Sequence, residues 1–96
     1  EVSFHQASIN GDEDTIKKHL ADGVNERDKN IALILASVNG HVQVADLIIK
    51  YGGDINTQDE DGRTPLHFAA IANRLQITKL LIDSKANINL LKCFFT

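Results

Sequence analysis

The chain has 96 residues, 43% of them apolar and 24% charged, with a formal net charge of −3. This is ordinary globular usage, so disorder is not indicated, and the length suffices for one small domain with a modest core. A weakly acidic chain lacks the basic stripe that phosphate backbones need, and no apolar run approaches the roughly 18 residues of a membrane span; neither nucleic acid nor membrane is expected as a partner.

In chain order, Phe4-His5-Gln6-Ala7-Ser8 opens a first short helix and Gly11 closes it. Asp12, Glu13 and Asp14 precede a second, Thr15 to Leu20, where acids favour the positive end of the helix dipole. That role is preferred here over a metal cluster. Asp22-Gly23 ends the pair, so a first unit covers about residues 1–25. Glu1-Val2-Ser3-Phe4 lacks the basic-then-apolar build of a secretory signal. With one cysteine, Cys93, no internal disulfide can form, which favours an intracellular compartment, cytoplasmic or nuclear.

A second unit spans about residues 26–58. Leu33, Ala36 and Ser37 share a helix face, Gly40-His41 turns the chain, and Val44, Leu47 and Ile48 line the next helix. Gly52-Gly53-Asp54-Ile55-Asn56 leads out.

The third unit, about residues 59–89, is the most explicit. Gly62 can take the positive φ of a tight turn, Thr64 is placed to cap a helix, and Pro65 sits at its first position. Leu66, Ala69 and Ala70 fall on one face, and His67 is placed to bridge Thr64 and a neighbouring backbone group. Five apolar matches relate this unit to the second at an offset of 33, among them Leu33 to Leu66 and Leu47 to Leu80. Leu66, Leu47 and Leu80 are therefore expected to be buried between units.

The first two units fit less well: His5 to Ile34 is 29 residues, and Lys29-Asn30-Ile31 lacks the Gly-x-Thr that precedes Pro65. A shortened connection and residues missing from the chain both account for that spacing. Lys18 and His19 stand where later units have Leu47-Ile48 and Leu80-Leu81, which suits a terminal, cap-like unit with one face in water. Residues 90–96 carry no turn chemistry and read as a makeshift cap or the start of a longer array.

Thr64-Pro65-Leu66-His67, with the 33-residue period, closely resembles the helix-opening signature of the ankyrin repeat. The resemblance implies an all-α solenoid of stacked helix-turn-helix pairs with projecting β-turn fingers. It implies a non-catalytic module that binds a protein partner through finger tips and exposed first-helix positions. In the third unit these map to Glu60, Asp61, Arg63, Ile71 and Ala72; in the second to Val38 and Asn39, with Thr57 and Gln58 bordering the finger; in the first to Ile9 and Asn10. The alternative is a regulatory or targeting module excised from a larger multidomain protein whose enzyme lies elsewhere. Asn73 and Lys85 replace glycines usual in the family. Some members are hydroxylated on an asparagine after the second helix with a leucine eight positions earlier, which here points to Asn89 and Leu81.

Other chemistry finds little support. The four histidines lack zinc-ligand spacing. Asp59-Glu60-Asp61-Gly62 suggests a calcium loop, but the last position of such a loop would be Phe68 rather than a bidentate glutamate. No phosphate loop or nucleophile elbow occurs, and Cys93 beside Phe94 reads as a small hydrophobe. No catalytic residue, cofactor, metal or small-molecule substrate is expected.

Overall fold

Helix starts follow the capping side chains. In the computed structural model, which describes residues 3–86, Ser3, Asp12, Asn25 and Thr64 each accept a backbone N–H three residues on. The helices are α1 Phe4–Asn10, α2 Glu13–Asp22, α3 Glu26–Asn39, α4 Val42–Lys50, α5 Pro65–Ile71 and α6 Leu75–Asp83. Among the described residues there is no strand.

The helices pair in sequence and stack in two rows. α1, α3 and α5 pack side by side, and α2, α4 and α6 form a second row behind them. The particle is elongated, 42 × 22 × 21 Å. Ala7, Ala36 and Ala69, at the same place in each first helix, are fully buried, which lets the backbones of the first row approach closely. Leu33, Leu66, Val44, Ile48, Ile77 and Leu81 fill the seams. A single helix pair cannot bury its apolar face alone, whereas stacking makes that face continuous.

One core expectation needs correction. Leu66 is buried, but Leu47 and Leu80 are only partly so and lie at the margin of the core. Their neighbours Ile48 and Leu81 occupy the seam. With about 100° between successive side chains, Ile48 and Leu81, four residues after the buried Val44 and Ile77, fall in the middle of the buried face, and Leu47 and Leu80 fall at its edge. In the first unit α2 buries Ile16 and Leu20, leaves Lys18 in water and sets His19 beside the Phe4 ring, 5.8 Å between centroids. Ser8 and Ser37 are buried beneath the next pair and donate to the carbonyls of Phe4 and Leu33. Ala70, at the same repeat position, is exposed, because among the described residues no further helix covers that side.

A second stitch recurs along the stack. His41 Nε2 lies 2.7 Å from the Ile9 carbonyl oxygen, and Arg74 Nε donates to that of Val38 at 3.0 Å. Each side chain starts a second helix and reaches back to the end of the preceding first helix. Gly11 and Gly40 make room for it: a Cβ on Gly11 would sit 2.6 Å from the His41 ring, and one on Gly40 3.0 Å from Arg74. Asn73 and Lys85 take positive φ, 59° and 71°.

The short spacing between the first two units is closed by three residues. Gly23, Val24 and Asn25 join α2 to α3, and residues 26–31 are the opening turns of α3. No finger projects there, contrary to the expectation of one per unit. The only finger among the described residues precedes α5.

Candidate functional site

The finger between α4 and α5 is held by its own side chains. Asp59 Oδ1 accepts the backbone N–H groups of Asp61 and Arg63, both at 2.9 Å. Its Oδ2 accepts from Arg63 Nε at 3.0 Å, while Arg63 Nη2 donates to Asp61 at 2.9 Å. The Arg63 guanidinium also lies over the Phe68 ring, 5.2 Å from its centroid. Partial burial pushes the Asp59 carboxyl up, but the bonds donated by Arg63 and Asp61, with the Arg63 charge, outweigh it and hold the group below the usual carboxylate range. Arg63 and Asp61 are thus engaged within the finger. Glu60, at the tip, makes no ion pair among the described residues.

Behind the finger, Thr64 and His67 form a reciprocal cap. The Thr64 N–H donates to His67 Nδ1 at 2.8 Å, and the His67 N–H donates to Thr64 Oγ1 at 3.3 Å. Nδ1 is therefore an acceptor, and the ring hydrogen sits on Nε2. Pro65 and Leu66 complete a buried corner that fixes where the finger leaves the stack. His5, at the position of His67 in the first unit, builds no such cap; its Nε2 faces Asp28 at 3.6 Å.

The opening turns of α3 are anchored in another way. Lys29, with its side chain 13% exposed, pairs with Glu26 at 3.1 Å and donates to the Tyr51 carbonyl at 3.1 Å. That carbonyl follows the negative end of α4, where a cation is favoured. Asn30 Oδ1 accepts the Asp54 N–H at 2.8 Å.

Between this extension and the finger runs an open groove of about 540 Å³. Arg27, Asn30, Ile31 and Ile34 line one side; Thr57, Gln58, Asp59 and Glu60 line the other. Of the residues singled out from sequence, the groove gathers Thr57, Gln58 and Glu60. Arg27, Asn30, Ile31 and Ile34 were missed, although one signal was available: they stand 33 residues before Glu60, Arg63, Thr64 and His67.

Val38, Asn39, Ile71 and Ala72 lie elsewhere, at the C-terminal ends of α3 and α5. The Val38 carbonyl receives Arg74, and Asn39 Nδ2 donates to the Leu35 carbonyl at 2.8 Å. Ile71 is 55% exposed, and Ala72 caps α5. Ile9 and Asn10 are exposed at the matching end of α1. Asn89 lies outside the described residues. Two further depressions, of about 350 and 280 Å³, mark the starts of the second-row helices and hold none of these residues. Among the described residues no three His, Cys, Asp or Glu side chains come together as a metal site, and no helix is long and apolar enough to cross a membrane.

Comparison with known proteins agrees with the architecture. Residues 4–92 match the family model of ankyrin repeats, in three copies. Over 88 residues the chain is 32% identical to inversin of Mus musculus, covering 86% of this chain and 8% of inversin. It is 35% identical over 66 residues to protein phosphatase 1 regulatory subunit 12A of the same species, 69% of this chain and 6% of that one. The transient receptor potential channel pyrexia of Drosophila melanogaster shares 44% identity over 63 residues, 65% of this chain and 7% of the channel. The chain thus spans less than a tenth of the length of each of these relatives.

Proposed function

The chain belongs to the ankyrin-repeat family, and from that premise we propose that it is a non-catalytic module that binds a protein partner through its finger and the exposed positions of its first helices. Ankyrin repeats are in general protein-interaction modules. The observation that carries the reading for this chain is the finger: Asp59, Asp61 and Arg63 spend their charges on each other and hold a rigid tip, while Glu60 and the adjoining groove stay open to a partner. A preorganised surface loses little freedom on binding. The module needs no cofactor, and its single cysteine suits a reducing intracellular setting.

A second reading is favoured by the small share of each relative that the chain covers: it is one regulatory or targeting module of a larger protein. The two readings concern different levels and do not compete for the binding surface.

The test is site-specific photo-crosslinking in cells of the source organism. A photoreactive residue at Glu60 or Ile71 should capture a protein partner. The same residue at Lys17 or Lys79, exposed on the second-row helices, should not. Equal capture from all four positions, or none from any, overturns the proposal.

A further inference from the structure

We propose that the groove between the α3 extension and the finger seats an extended protein segment. That segment carries one large apolar side chain flanked by an acidic residue toward Arg27 and a basic residue toward Glu60. This rests on the protein-recognition reading above and names the chemistry of the partner.

The groove exists because the chain departs from its own repeat. Residues 26–31 continue α3 as helix where a second finger was expected, and an open groove lies between that helix and the finger before α5. Its floor is Ile31 and Ile34, both half-buried. They replace the Thr64–His67 pair of the third unit, which is buried and bonded to itself. Two aliphatic side chains at the base of a trough rimmed by polar groups offer one desolvated contact, the setting in which a single anchor side chain carries most of the affinity.

The charges fit one arrangement of occupant. Glu26 is paired with Lys29, Asp28 faces His5, and Asp59 and Asp61 are taken by Arg63. Arg27 and Glu60 make no ion pair among the described residues, and they occupy equivalent repeat positions, 33 apart, on opposite walls. An arginine fork favours a carboxylate and Glu60 a cation. The amides add a backbone match. Asn30 uses its oxygen on the Asp54 N–H, leaving its NH₂ group for an acceptor; Gln58 uses its nitrogen on the Gly62 carbonyl, leaving its oxygen for a donor. A donor on one wall and an acceptor on the other suit the C=O and N–H groups of an extended chain. The volume lies within the range of roughly 300–1,000 Å³ typical of binding clefts, and the open trough, apolar along its base with polar side chains at its rim, fits a segment lying across it better than an enclosed small molecule.

The experiment uses three capped pentapeptides, Gly-Glu-Leu-Lys-Gly, Gly-Lys-Leu-Glu-Gly and Gly-Glu-Ala-Lys-Gly, titrated to millimolar concentration into ¹⁵N-labelled protein. Saturable amide shifts are expected at Arg27, Ile31, Ile34 and Glu60. The alanine peptide should bind at least about fivefold more weakly than its leucine counterpart, since it lacks three of the carbons that would cover Ile31 and Ile34. One leucine order should be preferred over the other. Whichever it is, the double variant R27E/E60K should prefer the opposite order by about fivefold, as expected of two exposed charge pairs. Both side chains are exposed, and the unliganded spectrum of the variant checks that the fold is kept. No saturable shift, equal binding of the leucine and alanine peptides, or an unchanged preference in R27E/E60K overturns the groove assignment. Photo-crosslinks from Glu60 or Ile71 alongside such a failure leave the recognition reading standing; their absence removes that reading separately.

Discussion

Residues 26–31 and 59–64 stand one repeat apart and take different structures. Glu26-Arg27-Asp28-Lys29-Asn30-Ile31 is helix; Asp59-Glu60-Asp61-Gly62-Arg63-Thr64 is a closed turn ending in a cap. The difference lies in three aligned pairs. Gly62 sits at φ 80°, where its counterpart Lys29 would be strained. Asp59, with a short side chain, bonds backbone N–H groups two and four residues on, whereas Glu26 reaches across a helical turn to Lys29. Thr64-Pro65 starts a helix afresh, and Ile31-Ala32 can only continue one. Beneath both stretches the packing is the same: Leu33 and Leu66 fill matching seams. Repetition therefore governs which side chains are buried, and local chemistry decides how the chain travels between buried sites.

The largest effect should come from that shared core. Leu33→Ala and Leu66→Ala are each expected to cost about 2–5 kcal/mol, as buried leucines do, and the two costs should be alike despite the unlike stretches before them. Urea unfolding measures both. Costs differing by more than about 2 kcal/mol would mean that the two seams are not equivalent.

Next come the caps, where the two regions should part. Thr64 is buried and reciprocally bonded to His67, so Thr64→Ala should cost toward the upper end of the cap range, about 2 kcal/mol. Asn25 caps α3 in water, so Asn25→Ala should cost about 0.5–1 kcal/mol. Equal losses in thermal unfolding would remove the distinction between a buried corner and an exposed helix start.

The smallest effect is acid sensitivity of the finger. The folded pKa of Asp59 is lowered, so its contribution is complete above the unfolded value, about 3.9, and is lost as pH falls through the lower folded value. Because the pair with Arg63 is partly solvated, the amount should stay well under about 1 kcal/mol. Amide shifts of Asp61 and Arg63 should move together over that acid range, and Asp59→Asn should abolish the shared step. Independent titration of the two amides would show that Asp59 does not organise the turn.

Much of this was legible in the sequence because it rests on interactions within four residues. Helix starts at Thr64 and near Asp12, the turn at Gly40 and the buried face through Leu66 and Ala69 need only capping chemistry and a 3.6-residue period. The choice between Leu47 and Ile48, or Leu80 and Leu81, was not legible. Both members of each pair are apolar, so composition does not say which faces the neighbouring pair, and the packing of α4 against α2 and α6 settles it. The roles of His41 and Arg74 were hidden for a similar reason: their acceptors, the carbonyls of Ile9 and Val38, lie 32 and 36 residues back.

By itself the sequence determined that this protein is an ankyrin-type stack of helix pairs, since an amphipathic pair repeated at a fixed period can bury its face only against its neighbour. It also marked the finger before Pro65, because a turn at Gly62 and a cap at Thr64 are local commitments. The groove was decided only by the tertiary structure. Arg27 and Ile31 are 33 and 29 residues from Glu60, and nothing in either stretch alone says that they share a cleft. They do so because α3 runs straight through where a finger was expected, held by Lys29 on the Tyr51 carbonyl and Asn30 on the Asp54 N–H, and because the stack then sets that helix beside the finger. Those two hydrogen bonds, spanning 22 and 24 residues, form only once α3 has folded back against α4.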